Sequence, residues 1–140
     1  MRIRELVRSQ RLNPTDLQFA NFIVASSDSD VIAVAQMRQH RDGSRELGSI
    51  LVLPAWRGQG IAARLVDALV AAEIGSIYMI TGQAYLRHYA RWGFQPIDPS
   101  TVPAPIRFNY LMGRLGGVIS VIMGRPVNRL TILKRPARGA

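Results

Sequence analysis

Pro54-Ala55-Trp56-Arg57-Gly58-Gln59-Gly60-Ile61-Ala62 lies between an apolar strand-like run, Ser49-Ile50-Leu51-Val52-Leu53, and a helix-like run from Ile61 to Val70. A strand, a glycine-bearing turn and a helix start form a site for an anion. The first backbone N–H groups of a helix lack intrahelical partners, and the helix dipole favours negative charge there. Gly58 and Gly60 let backbone approach a ligand with no Cβ in the way. A nucleoside triphosphate loop needs Lys-Ser or Lys-Thr after its second glycine, and Ile61-Ala62 stand there instead. A dinucleotide site needs a third glycine and a later acidic residue; Gly58-Gln59-Gly60 supplies half of that pattern.

Around this stretch, the length of 140 residues suits one domain with its own core. The sequence therefore predicts a single domain over 1–140, with 135–140 as a frayed basic tail. No apolar run reaches the ~18–20 residues that cross a bilayer, and no signal peptide opens the chain, so a cytoplasmic location without membrane contact is expected. There is no cysteine and only two histidines, His40 and His88, so neither a metal site nor a cysteine nucleophile is expected. The net charge is +9, carried by arginines with Lys134 the single lysine. Those arginines are scattered and few aromatics interleave with them, which disfavours nucleic acid.

Along the chain, Ile3, Leu6, Val7 and Leu12 suggest a first helix over 2–11. Phe22–Ala25 and Val31–Ala35 read as a hairpin, with Ser26–Asp30 as its turn. His40–Ser44 is a second turn and Glu46–Leu53 a third strand. The helix after Gly60 should run to about Glu73 and bury Ile61, Leu65, Ala68, Leu69 and Ala72. Ile77–Thr81 is a strand expected to run parallel to the third, because a crossover helix returns the chain in the same direction. Ala84–Trp92 reads as a short helix, Phe94–Ile97 as a strand and Leu130–Leu133 as a last strand. Phe108, Leu111, Met112, Leu115, Ile119 and Ile122 mark one face of another helix, weakened by Gly113, Gly116 and Gly117.

Arg57-Gly58-Gln59-Gly60-Ile61-Ala62 resembles the acetyl-coenzyme A signature of the GCN5-related N-acetyltransferases, the GNAT family, Gln/Arg-x-x-Gly-x-Gly/Ala, at Arg57, Gly60 and Ala62. Val52-Leu53-Pro54 resembles the family's Val-x-Pro strand ending. Tyr89-Ala90-Arg91-Trp92-Gly93-Phe94 resembles its later Tyr-x-x-x-Gly-Phe motif, with a helix and a strand between the two. The resemblance covers roughly residues 3–97. It implies an α/β fold with a mixed, mostly antiparallel sheet flanked by helices, here apparently lacking the first strand.

The resemblance also implies acyl transfer from acetyl-coenzyme A to an amine, with no metal. Coenzyme A carries a pyrophosphate that suits amides at a helix start. Its pantetheine arm has two amides that can pair with a strand edge. The residues implied in cofactor binding are Ile50, Leu51, Val52, Arg57, Gly58, Gln59, Gly60, Ile61, Ala62 and Ala63. Ile50–Leu53 also reads as a core strand. Without cysteine there is no acyl-cysteine intermediate, so direct transfer is the simpler route. Tyr89 is implied as the acid that protonates the departing sulfur; a phenol holds its proton at neutral pH. Its competing reading is a core tyrosine beside Phe94. Glu46 is the candidate base, directly or through a water, and competes with a surface partner role for Arg45 or Arg41. His88 reads as a surface residue and Trp56 as loop packing.

Two features depart from the family pattern. The chain enters its first helix almost at once, and Gly82 stands where many members have an asparagine contacting coenzyme A. These keep a second reading open, a non-catalytic acyl-coenzyme A-binding regulatory module. A small amine, an amino acid, an antibiotic or a protein amine remain open as acceptor, and so does a homodimer.

Overall fold

The computed structural model describes residues 6–9, 22–28, 30–122 and 129–138. The contacts group into two compact units, Met1–Gln39 with Leu47–Glu73 and His40–Glu46 with Ile74–Ala140.

In the first unit, β1 (Leu6–Ser9), β2 (Phe22–Ser27) and β3 (Asp30–Gln39) form an antiparallel ladder; β4 (Arg45–Val52) follows β3 in strand order and belongs to this unit from Leu47 on. β-Branched residues such as Ile23, Val24, Val31 and Ile32 favour this pleated surface. The expected hairpin is present. Its turn holds Asp28 at a φ of 54°, a left-handed conformation that aspartate tolerates. The register shifts between Ala25 and Ser26, as at a β-bulge. The helix expected over 2–11 is corrected at Leu6–Ser9, which pairs as a strand with Ser26–Ile23. The rest of that expectation, and the expected absence of a first strand, turn on residues 1–5 and 10–21, outside the described residues.

Helix α1 (Ile61–Ala71) packs on β3 and β2. It buries Ile61, Leu65 and Leu69 as expected, together with Val66 and Val70 in place of Ala68 and Ala72, which are exposed. The valines offer more apolar area than alanine, so the helix turns that side inward; each such side chain contributes about 1.5–3 kcal/mol on full burial.

In the second unit, β5 (Ile77–Gly82) and β6 (Gln95–Pro96) both pair antiparallel with β7 (Leu130–Arg135). The expected strand Phe94–Ile97 contracts to two residues. Phe94 is fully buried, and Pro96 has no N–H to extend the ladder. The expected helix Ala84–Trp92 becomes a 3-10 turn, Gln83–Tyr85, running into α2 (Leu86–Ala90). Arg135, assigned to a frayed tail, is the last residue of β7 and 6% exposed, and Arg138 N–H donates to the Ile74 carbonyl.

Helix α3 (Ala104–Ile122) begins four residues earlier than Phe108, with Pro105 in the first turn, where a missing N–H costs nothing. Its expected inner face is corrected. Phe108, Leu111, Met112 and Leu115 are 50–62% exposed. The face turned to β7 and β5 instead carries Ile106, Tyr110 and Gly113. Ile106 packs with Tyr78, Val102 and Ile132. A Cβ on Gly113 would meet Leu130 Cδ1 at 2.8 Å, so the glycine that weakens the helix is what lets it sit close to the strand. The side chains of Ile119 and Ile122 lie outside the described residues.

Candidate functional site

The anion-site turn takes the expected form. Pro54–Trp56 make a 3-10 turn, Gly58 and Gly60 have φ of 80° and 77°, and α1 starts at Ile61. Gly60 is the N-cap, and no side chain caps the helix. No acidic residue occupies the first turn, so nothing there opposes an incoming anion. A Cβ on either glycine would meet nothing within 4 Å. The glycines are therefore demanded by left-handed backbone, and the space above them is open.

Arg57 Nε donates to the Val52 carbonyl oxygen at 3.0 Å. This ties the turn to the end of β4, and Leu53 N–H donates to the Ile32 carbonyl at 2.9 Å just beyond it. The core-strand reading of Ile50–Leu53 is corrected: Ile50 and Val52 are half-buried, while Leu51 and Leu53 are 57% and 44% exposed. Trp56 is half-buried and, with Leu53, Val31 and Asp30, lines an open pocket beside the turn. Gln59 is exposed, and Ala62 and Ala63 are half-buried in the first turn of α1.

Tyr89 lies on α2, half-buried among aromatics. Its ring centroid is 6.4 Å from Phe94, 5.9 Å from Trp92 and 5.0 Å from His88. Burial, and secondarily Tyr85, push its phenol above the ordinary value of 10.0. Gly93 bends the chain with a φ of 88°, and Phe94 behind it is fully buried. Both the acid reading and the packing reading of Tyr89 fit this placement. His88 is exposed, as expected.

Glu46 departs from its surface reading: it is 3% exposed. Its Oε1 lies 2.9 Å from His40 Nε2 and accepts from Asn109 Nδ2 at 2.9 Å. Neither partner was among the sequence candidates. His40 carried a signal, since it stands just before the tight turn that precedes Glu46. That turn is closed by His40 N–H to Ser44 O and Gly43 N–H to His40 O, each 3.0 Å. Asn109 carried none. Tyr89, Glu46, His40 and Asn109 all belong to the second unit, whereas the glycine turn belongs to the first. Gly82, in place of the family's asparagine, is buried and pairs with Leu130. Among the described residues, no cluster of three or more metal-ligating side chains occurs, and no helix is long and apolar enough to cross a membrane.

Comparison with known proteins bears on this geometry. Residues 18–96 match the family described as "Acetyltransferase (GNAT) domain". No curated protein sequence matches the chain. Among solved structures, it is similar to N-acetylglutamate synthase from Neisseria gonorrhoeae complexed with coenzyme A and N-acetyl-glutamate. That similarity has a TM-score of 0.63 at 18% identity, over 96% of this chain and 29% of that one. The chain thus spans under a third of the synthase's length. It is also similar to Rv2747 from Mycobacterium tuberculosis in complex with CoA (TM-score 0.58, 19% identity, 84% of this chain and 76% of that one). A third is an acetyltransferase of the GNAT family from Staphylococcus aureus (TM-score 0.56, 15% identity, 81% of this chain and 65% of that one). At these identities the likeness is one of fold: a mixed, mostly antiparallel sheet flanked by helices, as the sequence motifs implied.

Proposed function

The chain belongs to the GNAT acetyltransferase family, and from that premise we propose that it is an acetyl-coenzyme A-dependent N-acetyltransferase. It moves the acetyl group directly to an amine acceptor in the cytoplasm. The observation that carries this is the uncapped start of α1 behind two left-handed glycines, braced to Val52 by Arg57. Backbone amides at Ile61, Ala62 and Ala63 would take the pyrophosphate, with Gly58, Gln59 and Gly60 shaping the turn. The half-open strand end Ile50-Leu51-Val52 would take the pantetheine arm through its backbone. Tyr89 is the acid for the sulfur, and its raised phenol keeps its proton through the neutral range. Glu46 belongs to the base side of the reaction.

The acceptor is an amine, and an amino acid is a first choice because one structural neighbour holds N-acetyl-glutamate. The test is twofold. Acetyl-coenzyme A at millimolar concentration should raise the melting temperature by mass action. Free thiol should then appear when the protein, acetyl-coenzyme A and a panel of amino acids, polyamines, aminoglycosides and peptides are mixed. Absence of stabilisation would remove the cofactor reading. Stabilisation without thiol release from any amine would favour the non-catalytic module, to which Gly82 in place of the family's asparagine also points.

A further inference from the structure

We propose that His40 is the base of the acyl transfer: Glu46, anchored by Asn109, holds the Nε2–H of His40, and the other ring nitrogen, Nδ1, takes the proton from the acceptor amine. This rests on the reading of the chain as an N-acetyltransferase.

Three observations carry the assignment. Glu46 is 3% exposed, so a free amine has little access to it. Its Oε1 already serves two neighbours, His40 Nε2 and Asn109 Nδ2, both at 2.9 Å. His40, by contrast, is 17% exposed at its side chain and can reach a solvent-borne group.

The tautomer follows from the partner. An ionised carboxylate only accepts, so the nitrogen facing Glu46 carries the hydrogen and Nδ1 keeps its lone pair. A carboxylate that fixes an imidazole in this way leaves the opposite nitrogen to act as base. Glu46 and Asn109 are then positioning residues. Glu46 on β4 faces His40, Asp42 in the turn lies within its electrostatic reach, and α3 contributes the uncharged Asn109 to Glu46.

The step balances as follows. The acceptor ammonium gives one proton to Nδ1, and the partly exposed ring returns it to solvent. The amine lone pair forms the C–N bond with the acetyl carbon. The C–S bond breaks with its electron pair on sulfur. Tyr89 supplies the proton that makes the free thiol, and the second proton of the amine restores the phenol.

Two measurements test this on the full chain. The first uses 15N-histidine NMR of the wild type, with only two histidines to assign and His88→Gln to separate them. In its neutral form, His40 should show hydrogen on Nε2 and a bare Nδ1. A neutral ring with its hydrogen on Nδ1 would overturn the proposal. The second uses an amine that the wild type acetylates. His40→Gln should lower kcat about 10²–10⁴-fold and leave acetyl-coenzyme A affinity unchanged, while His88→Gln keeps the wild-type rate. A His40→Gln protein that keeps the wild-type rate would also overturn it. Failure of the underlying reading looks different: a wild type that transfers acetyl to no amine loses the enzyme assignment, and the His40 assignment with it.

Discussion

Asn109 on α3 donates from Nδ2 to Glu46 Oε1 at 2.9 Å, joining two side chains 63 positions apart. Glu46 is 3% exposed, so each donor to it matters more than a surface contact would. Loss of a partner leaves a buried acceptor undersatisfied. Asn109→Leu should therefore destabilise the fold by about 1–3 kcal/mol. Urea unfolding checks this, with a lowered midpoint and an unchanged slope. A midpoint equal to wild type would mean that the bond adds no net stability.

The glycine turn gives a paired test of backbone against space. Gly60 has a φ of 77° with nothing within 4 Å of a Cβ, and Gly75 is equally open with no left-handed φ. Gly60→Ala should cost about 1–2 kcal/mol through the left-handed conformation alone. Gly75→Ala should be neutral or slightly stabilising. Gly60→Asn should recover part of the loss. Thermal melts of the three variants separate strain from steric contact, and equal losses at Gly60 and Gly75 would exclude strain as the cause.

The bond from Arg57 Nε to the Val52 carbonyl is exposed, so its effect on global stability should be small. Its consequence lies in ordering the turn. Arg57→Met should weaken acetyl-coenzyme A binding about three- to tenfold, the equivalent of roughly 0.7–1.4 kcal/mol. Calorimetric titration reads this directly. An unaltered affinity would mean that the turn holds its shape without Arg57.

Tyr89→Phe should reduce kcat about 10²–10⁴-fold, the usual range for a lost acid catalyst, while cofactor affinity changes little. Burial first, and Tyr85 second, raise the phenol above 10.0. The acid form is thus fully present through neutrality, and activity that depends on it should persist to more alkaline pH than an ordinary phenol allows. The sign for stability follows. The folded value is raised, so this group's stabilisation is complete below the unfolded value near 10 and declines as pH climbs through the folded one. The difference between alkaline melts of wild type and Tyr89→Phe should be constant below about pH 10 and change above it, as wild type alone loses this stabilisation.

Asp42 closes the turn that carries His40. The Ser44 hydroxyl and then the Ser44 N–H hold its carboxyl below the ordinary value of 3.8, with His40 adding a smaller electrostatic share. A depressed value stabilises above the unfolded value and is lost as pH falls through the folded one. Acid melts of wild type should therefore lose stability below about pH 4, and Asp42→Asn should flatten part of that slope. An identical slope in the two proteins would show that Asp42 contributes nothing to acid sensitivity.

The pattern of agreement follows the range of the forces involved. The hairpin, β4, α1 and the glycine turn were legible because each is set by neighbours in sequence: β-branched runs, a 3.6-residue apolar repeat, and two glycines that the turn puts at positive φ. The face of α3 differs from the apolar stripe that the sequence marks. The larger side chains, Phe108 to Leu115, pointed one way, and Gly113 against Leu130 decided for the other. Hydrophobic size could not reveal that a close helix–strand approach requires the absence of a side chain.

By itself, the sequence determined the family motifs, the glycine turn ahead of α1 and the two residue types, phenol and carboxylate, expected at the reaction. Only the tertiary structure decided the setting of Glu46. Its burial and its bonds to His40 and Asn109 bring a turn and the strand that follows it together with a helix 63 positions on. No local propensity encodes such a meeting, because a side chain's proton chemistry depends on which groups the fold places within about 3 Å of it.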